Sequence, residues 1–252
     1  MSADKPEAAF SREQICAHRG ASGTHPENTH VAFDAAASLG AGWIETDIQC
    51  LADDELVIFH DAHLGRTAPG AAKVTSLSWP DMADLDVGSW KGNTFCSERP
   101  LRCEDLIAWQ AEASDRPGIV WEVKCEDEPE AVTAAAAAVT RRLRDAVDHP
   151  CIVSSFSRDV LVALRPQLPA IPMALIAEAF SDDGVKFCQE LGLEGMHLGG
   201  HQVTQESAHA VLGAGLALRC YTINDVREAE RLVALGVSMV MTDFPERFLN
   251  EQ

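Results

Sequence analysis

Short apolar runs rich in Val, Ile and Cys alternate along this chain with segments of helical periodicity, and this alternation constrains the fold most. It is typical of βα units around a mostly parallel sheet. The first helix is expected to be capped by Asn28 and to end at Gly40. The candidate strands are residues 15–18, 42–48, 55–60, 118–124, 151–156, 171–177, 195–199, 216–223 and 237–242. They exceed by one the number that a (β/α)₈ barrel requires.

The extra strand is identified by the spacing between the second and third runs. Only seven residues, QCLADDE, separate Ile48 from Leu56, whereas a parallel crossover needs about a dozen or more. The third run must therefore return antiparallel to the second, as a hairpin that turns near residues 53–54. We predict an α/β fold, a TIM-type (β/α)₈ barrel with an extra antiparallel hairpin strand, and we expect Asp47 and His60 to lie side by side across that hairpin.

The segment that follows this hairpin breaks the rhythm. Residues 62–100 have no strong periodicity and contain Trp79 and Trp90. A loop of this length inside a compact domain is usually functional. We therefore interpret it as an inserted segment that covers the barrel mouth. Because 252 residues fit one large barrel, we expect a single domain over residues 1–252 with an insertion at about 62–100.

Charge and composition exclude several classes of partner. The formal net charge of −19 argues against nucleic acid or an anionic membrane surface, because both require a basic face. No apolar run approaches the roughly 18 residues of a membrane span, and the first residues lack the pattern of a signal peptide. The eight cysteines form no CxxC pair, so we expect reduced, structural thiols. We therefore expect a cytoplasmic protein without stable membrane association; its oligomeric state stays open.

Charged residues recur at positions i and i+2 of two predicted strands. Glu45 and Asp47 stand between apolar residues of one strand, and Glu122 precedes Lys124 in the same way on another. Alternate residues share one face of a strand, so these side chains face either the barrel interior or the helices and solvent. In the interior, like charges about 7 Å apart are costly unless a cation neutralises them. An all-oxygen ligand set indicates one divalent cation, Mg²⁺ or Ca²⁺ with Mn²⁺ as a further candidate, and disfavours zinc.

Two histidines stand at the predicted ends of strands. His18, Arg19 and Gly20 follow the first strand directly, at the rim where barrel active sites form. Arg19 offers a planar fork of donors suited to phosphate, although the same triplet is also compatible with a surface turn. His60 ends the hairpin strand and suits a general acid or base near neutral pH, or a hydrogen-bonded core histidine. Of the other histidines, only His197 is expected near the mouth.

Five motifs in order carry a resemblance to a known family. They are AHRGASGTHPENTHVAF, WIETDIQCLADDELVIFHDAHLGRT, WEVK, SSF and YTINDVREAERLVALGVSMVMTDFP. From about Ile15 to Pro245 the chain closely resembles the glycerophosphodiester phosphodiesterase family, most of all its cytosolic bacterial branch. The resemblance implies a TIM barrel with an insertion after the His-Asp motif. It also implies metal-dependent hydrolysis of glycerophosphodiesters to sn-glycerol 3-phosphate and an alcohol, in phospholipid-derived glycerol and phosphate metabolism.

The resemblance also implies a role for each candidate residue. These are the catalytic pair His18 and His60, the substrate-binding cations Arg19 and Lys124, and the metal ligands Glu45, Asp47 and Glu122. We assign His18 as base and His60 as acid. The nucleophile is either water or the glycerol 2-hydroxyl, which would form a cyclic phosphate that water then opens. Two departures from the family pattern, Arg102 at an apolar place and Tyr221 where many members have tryptophan, bear on substrate preference more than on activity.

Other functions remain open at this stage. The chain could be a lysophospholipase D or a phosphoinositide-type phospholipase, but either would need an apolar or basic surface for lipid, which the acidic composition does not suggest. A non-catalytic, anion-binding barrel is a third alternative. That alternative predicts the loss of a histidine or a metal ligand, and the sequence retains all of them.

Overall fold

Eight parallel strands close into a barrel in the computed structural model of the chain, which describes residues 10–144 and 149–249. The strands in chain order are β1 (Ile15–His18), β2 (Trp43–Cys50), β3 (Leu56–Ile58), β4 (Leu101–Arg102), β5 (Gly118–Lys124), β6 (Cys151–Ser155), β7 (Met173–Ala177), β8 (Gly195–Gly199), β9 (Ala217–Tyr221) and β10 (Met239–Thr242). β1 pairs with both β2 and β10, which closes the parallel sheet on itself. β3 and β4 are antiparallel and lie outside this ring. The predicted fold class is confirmed.

Helices connect the barrel strands and cover the outside of the barrel. They are α1 (His30–Ser38), α2 (Trp79–Met82), α3 (Cys103–Ala111), α4 (Pro129–Leu143), α5 (Arg158–Leu164), α6 (Asp182–Leu191), α7 (Gln205–Gly213) and α8 (Val226–Ala234). Several begin at a Ser, Thr or Asp whose side chain accepts a hydrogen bond from a backbone amide of the first turn, as at Ser157 and Asp225. Such caps satisfy amides that a helix leaves without partners. No helix in the described ranges is both long and apolar enough to cross a membrane.

The start of α1 differs from the prediction, whereas its end agrees. Gly40 takes a positive φ of 84° just beyond the helix, as expected of a terminating glycine. Asn28 is not the cap, because Thr29 occupies that position and Asn28 itself has a left-handed φ of 60°. The Asn28 amide instead donates to Oδ2 of Asp47 at 2.9 Å. The Asn28 side chain, which the sequence pattern assigned to capping the helix, thus makes a tertiary hydrogen bond instead.

The predicted hairpin is present, with its register shifted by one residue. β3 runs antiparallel to β2 with Ile58 opposite Ile48. The amide of Phe59 donates to the carbonyl of Asp47 at 3.0 Å, so His60 lies one residue beyond the side-by-side position expected for it. β4, which the sequence did not predict, pairs with β3 through Leu101. Two residues are too few to show a period.

The inserted segment is folded and shares a small core with the hairpin that precedes it. This core joins Ala68, Val74, Met82 and Val87 of the insertion to Leu51, Val57 and Phe59 of the hairpin. The Lys91 ammonium donates to the carbonyl of Ser22 at 2.6 Å, which ties the insertion to the loop after β1. The Arg102 guanidinium, one of the two departures from the family pattern, lies 5.2 Å from the ring centroid of Trp79. The inserted segment thus packs against the barrel beside its mouth.

The barrel interior is filled in layers. A lower, apolar layer consists of Cys16, Val120, Ile152, Ala174 and Met239, and Met241 packs against it from the level of the site. Alternate residues of a strand share a face, so His18, two positions beyond Cys16, belongs to the layer above, as does Glu122 beyond Val120. The apolar layer therefore closes the barrel beneath the polar residues and forces them to face the mouth.

Candidate active site

Three carboxylates meet at the C-terminal end of the barrel on the neighbouring strands β2 and β5. Glu45 and Asp47 lie on β2, and Glu122 lies opposite Asp47 on β5. One oxygen of each residue lies within 4.8 Å of the others. Their exposed fractions are 3%, 0% and 9%, respectively. We call these residues the carboxylate cluster; the two-residue period of the strands aims all of them inward.

Burial and mutual repulsion shape the ionisation of the carboxylate cluster. Burial raises the pKa of Glu45 well above its usual value, and the charges of Asp47 and Glu122 add to the effect. Burial, followed by the charge of Asp47, raises the pKa of Glu122 to about 7. Burial would also raise the pKa of Asp47, but Arg19 and Lys124 together outweigh it and hold that pKa at about 2. The two cations thus keep Asp47 ionised, whereas burial and the charges of neighbouring carboxylates favour the protonated forms of Glu45 and Glu122.

The carboxylate cluster fits a hard divalent cation. Oε1 of Glu45 is buried and has no hydrogen-bond donor among the described residues. Oδ1 of Asp47 is also buried and accepts no hydrogen bond from them, although the Lys124 ammonium lies 3.3 Å away. A buried acceptor without a partner costs free energy, and a cation would satisfy both atoms. Carboxylate oxygens are the ligands that Mg²⁺ and Ca²⁺ prefer, whereas zinc favours nitrogen and sulfur.

Two cationic side chains face the carboxylate cluster. Arg19 takes a left-handed φ of 57° directly after β1, which turns its side chain across the mouth. Its Nε lies 3.3 Å from Oδ2 of Asp47, and its Nη1 donates to Oε1 of Glu27 at 2.8 Å. The Lys124 ammonium lies 3.3 Å from Oδ1 of Asp47 and also contacts Glu122. Both cations are therefore placed to bind an anionic substrate beside the cluster.

The His18 ring is held by a carboxylate that the sequence analysis did not single out. Its Nδ1 lies 2.7 Å from Oδ1 of Asp243, and its Nε2 lies 3.7 Å from Oε2 of Glu45. The other oxygen of Asp243 accepts from the amide of Asn224 at 2.8 Å. Asp243 follows β10, which pairs with β1 on closure of the barrel. Its position just after a barrel strand was the available signal.

His60 is held in the same way from the other side of the mouth. Its Nδ1 lies 2.8 Å from Oδ1 of Asp61, whose carboxylate is also bound by Arg66. Burial lowers the pKa of His60, and the positive charges of Arg19 and Lys124 lower it further. The negative charge of Asp47 acts in the opposite direction but does not offset them. His60 therefore favours the neutral form, which can accept a proton at Nε2.

His197 lies beneath the site, deeper than the position near the mouth expected from the sequence. It is 1% exposed and lines a cavity of about 20 Å³ together with Glu45 and Glu122. Burial, helped by the charge of Arg219, lowers the pKa of His197 well below its ordinary value. Tyr221, the other departure from the family pattern, lines the same cavity. Both residues thus form the floor of the site.

The two carboxylates that hold the histidines make stability sensitive to acid. Hydrogen bonds from His18 and Asn224 outweigh burial to give Asp243 a pKa of about 2. Hydrogen bonds from Arg66 and His60 also lower the pKa of Asp61 to about 2, but the Arg66 side chain is 45% exposed, so solvent screens that pair and Asp243 accounts for most of the acid sensitivity. A carboxyl whose pKa is lower in the folded state stabilises the protein above its unfolded pKa, and that contribution is lost as the pH falls through the folded pKa. We therefore expect the free energy of unfolding to drop between about pH 4 and pH 2.

Denaturant unfolding at a series of pH values measures this drop. The Asp243→Asn variant should be less stable than wild type at pH 6 and should lose less stability on acidification, because its amide does not titrate. Identical pH profiles for the two proteins would contradict the expectation.

Two histidines, each held by a carboxylate, lie beside two cations suited to bind a phosphate at the mouth of the barrel. This combination defines the class of the protein, which is that of the barrel phosphoesterases. Comparison with known proteins narrows the class. The profile of the glycerophosphoryl diester phosphodiesterase family matches residues 18–247. The glycerophosphodiester phosphodiesterase of Bacillus subtilis is 29% identical over 250 residues, which cover 92% of this chain and 84% of that one.

Solved structures agree with the sequence comparison. An Oleispira antarctica phosphodiesterase in complex with the product sn-glycerol-3-phosphate is 28% identical with a TM-score of 0.88, and the match covers 96% of this chain and 98% of that one. A glycerophosphodiester phosphodiesterase from Agrobacterium tumefaciens is 26% identical with a TM-score of 0.76, covering 93% and 98%. The chain therefore belongs to the glycerophosphoryl diester phosphodiesterase family and is an enzyme, a phosphoric diester hydrolase.

Proposed function

We propose that this enzyme uses one divalent cation, Mg²⁺ or Ca²⁺, to hydrolyse glycerophosphodiesters to sn-glycerol 3-phosphate and an alcohol, in the turnover of phospholipid-derived glycerol and phosphate. The observation that carries the proposal is the meeting of the carboxylate cluster with two histidines whose Nδ1 atoms are each held by a carboxylate. The Oleispira antarctica phosphodiesterase was solved with sn-glycerol-3-phosphate as its product, which supports the same product here.

The side chains of this chain supply binding and charge. Arg19 and Lys124 bind the phosphate oxygens, and their charges stabilise the negative charge that builds on those oxygens during transfer. Glu45, Asp47 and Glu122 would hold the cation, which would supply further positive charge to stabilise the reacting phosphate. The apolar layer beneath the site keeps these charges in a poorly solvated environment, where their interactions are stronger than in water.

The surroundings of His60 favour a role as general base. It is partly buried and its pKa is lowered, and Arg66 already neutralises its partner Asp61. A neutral imidazole at working pH can remove a proton from the nucleophile, whether this is water or the glycerol 2-hydroxyl.

The surroundings of His18 favour the opposite role. Its partner Asp243 is otherwise bound by the neutral donors Asn224 and Ser22, so the aspartate charge remains available to stabilise an imidazolium. His18 would protonate the departing alcohol from Nε2. This order reverses the assignment made from the sequence, which had no access to the partners of either ring.

We further propose that residues 1–252 act as one catalytic domain in the cytoplasm, without stable membrane association. All eight cysteines are free thiols, which supports a reducing compartment. The net charge of −19 supports a small, freely diffusing substrate, since an anionic lipid surface would repel the protein.

Matched substrates test the proposed function. Glycerophosphoglycerol and a long-chain lysophosphatidylglycerol share a headgroup and differ in the acyl chain. We expect the deacylated diester to have the higher kcat/KM by about tenfold or more, because the acidic protein repels micelles of the anionic lysolipid.

The same assay tests the metal and the headgroup. Release of sn-glycerol 3-phosphate should be measured with Mg²⁺, with Ca²⁺ and with a chelator, across glycerophosphodiesters of choline, ethanolamine and glycerol. Preference for the lysolipid would indicate a lysophospholipase D type of activity, and turnover of no diester would overturn the proposal.

A further inference from the structure

One arginine of the inserted segment, Arg66, bridges two carboxylates from different parts of the mouth. Its Nη1 and Nη2 donate to Oε2 and Oε1 of Glu27 at 2.7 and 2.8 Å. Its Nε and Nη2 donate to Oδ2 and Oδ1 of Asp61, also at 2.7 and 2.8 Å. Glu27 belongs to the loop between β1 and α1, and Asp61 follows the hairpin strand β3. The planar guanidinium thus forms two paired contacts at once, a geometry that lysine cannot reproduce.

Each bridged carboxylate holds a residue of the proposed machinery. Oε1 of Glu27 accepts from Nη1 of Arg19 at 2.8 Å, and Oδ1 of Asp61 lies 2.8 Å from Nδ1 of His60. Arg66 therefore stands between the phosphate-binding arginine and the proposed base. A single side chain thus links, through two carboxylates, the two groups that the proposed function brings to the substrate.

Charge maintains the contacts of Arg66 with Glu27 and Asp61 near neutral pH. A hydrogen bond from Arg66 is the foremost cause that lowers the pKa of Asp61 to about 2. Burial would raise the pKa of Glu27, but hydrogen bonds and charge from Arg66 and Arg19 outweigh it and lower that pKa. Both carboxylates are thus ionised near neutral pH, and Arg66 has two anionic partners there.

The insertion holds Arg66 in place. The Arg66 guanidinium lies 5.9 Å from the ring centroid of Trp90, and the indole of Trp90 donates to the carbonyl of Val87, a member of the small core that the insertion shares with the hairpin, at 2.8 Å. The Arg66 side chain is nevertheless 45% exposed. Ion pairs at this level of exposure contribute little to global stability, so the contacts bear on geometry more than on folding.

We propose that Arg66 is a positioning residue, which fixes Arg19 and His60 relative to each other through Glu27 and Asp61, and that the inserted segment serves to present it. The inference rests on the proposed function, because it assumes that Arg19 binds the phosphate and His60 moves a proton. Catalytic groups lose much of their effect when displaced by about 1 Å. Arg66 would limit such displacement without touching the substrate.

Variants of Arg66 and a matched arginine test this role with glycerophosphoglycerol. Arg66→Ala should lower kcat/KM by about 10- to 100-fold, the usual effect of removing a partner that orients an active-site group, with little change in Tm. Arg66→Lys should recover only part of the loss, because it restores the charge without the fork. The control is Arg99→Ala in the same insertion. Among the described residues, the exposed Arg99 guanidinium donates only to the backbone carbonyls of Cys96 and Glu98, so this variant should match wild type.

The two halves of the bridge should separate in the kinetics. Glu27→Gln should mainly raise KM, because it loosens Arg19, and Asp61→Asn should mainly lower kcat, because it loosens His60. Arg66→Ala should show both effects. Added guanidinium ion should restore part of the activity of Arg66→Ala and none of that of His60→Ala, since the exposed position of Arg66 admits the ion.

Three outcomes decide the matter. Full activity of Arg66→Ala beside an active wild type would overturn the positioning role and leave the proposed function standing. A loss of activity that follows a fall in Tm, without rescue by guanidinium, would show a purely structural role and also overturn it. An inactive wild type would overturn the proposed function together with this inference.

Discussion

Removal of any one carboxylate of the cluster, as in Glu45→Gln, Asp47→Asn or Glu122→Gln, should lower kcat/KM by at least about 10³-fold. The proposed cation supplies several kcal/mol of charge stabilisation in the transition state, and about 1.4 kcal/mol corresponds to a factor of ten in rate. Steady-state kinetics with saturating Mg²⁺ or Ca²⁺ measure the effect. Exhaustive chelation of the wild type should produce a loss of similar size, reversed when the cation is added back.

Thermal unfolding gives a readout that does not depend on activity. Without a divalent cation, Glu122→Gln should unfold at the same Tm as wild type or higher, because the substitution relieves repulsion among buried carboxylates whose pKa values are raised. With millimolar cation, the Tm of wild type should rise through binding to the folded state. The Tm of Glu122→Gln should rise far less.

A carboxylate at the opposite end of the barrel provides the control. Glu194 precedes β8 and pairs with Arg219 at 2.7 Å, so Glu194→Gln removes a charge without touching the carboxylate cluster. This variant should keep both full activity and the rise in Tm on cation binding. Undiminished activity of wild type after exhaustive chelation would contradict the proposed role of the metal.

Substitution of either histidine should be the other large effect. His18→Ala and His60→Ala should each lower kcat/KM by about 10²- to 10⁴-fold on natural diesters, the usual contribution of a positioned proton donor or acceptor. The exposed His201 lies outside the site, and its side chain is 74% exposed. His201→Ala therefore serves as the control and should match wild type.

A substrate with a nitrophenol leaving group distinguishes acid from base. Nitrophenol is a good leaving group that scarcely needs protonation, so His18→Ala should regain much of its lost rate on that substrate. His60→Ala should remain impaired, because the nucleophile still has to lose its proton. Recovery of His60→Ala instead of His18→Ala would restore the assignment made from the sequence. Equal impairment of both variants on both substrates would refute separate acid and base roles.

The sequence predicted most of the barrel because strand geometry leaves local traces. The seven residues between Ile48 and Leu56 forced an antiparallel return, and β3 runs that way. Prediction weakened where elements were short or held by side chains. β4 has two residues and therefore no period. Asn28 looked like a helix cap, but a buried hydrogen bond to Asp47 uses its side chain.

Periodicity also placed the carboxylate cluster. A two-residue period puts Glu45 and Asp47 on one face of a strand, and the surrounding apolar residues indicated a buried strand. The order of histidine roles was not accessible in this way, because it depends on what holds each ring. His60 has Asp61 as its immediate neighbour in sequence, whereas the partner of His18 is Asp243, 225 residues away.

The sequence by itself determined which residue types stand at the ends of which strands, and hence the barrel, the carboxylate cluster and the family. Only the tertiary structure decided how those residues are held. Barrel closure brings β10 beside β1 and places Asp243 against His18, and the folded insertion carries Arg66 to Glu27, 39 residues earlier in the chain. The periodicity of a sequence reflects residues that are close along the chain, so it can predict strands and the faces of strands. Hydrogen bonds between side chains that are distant in sequence depend on how the whole domain packs, and only the tertiary structure shows them.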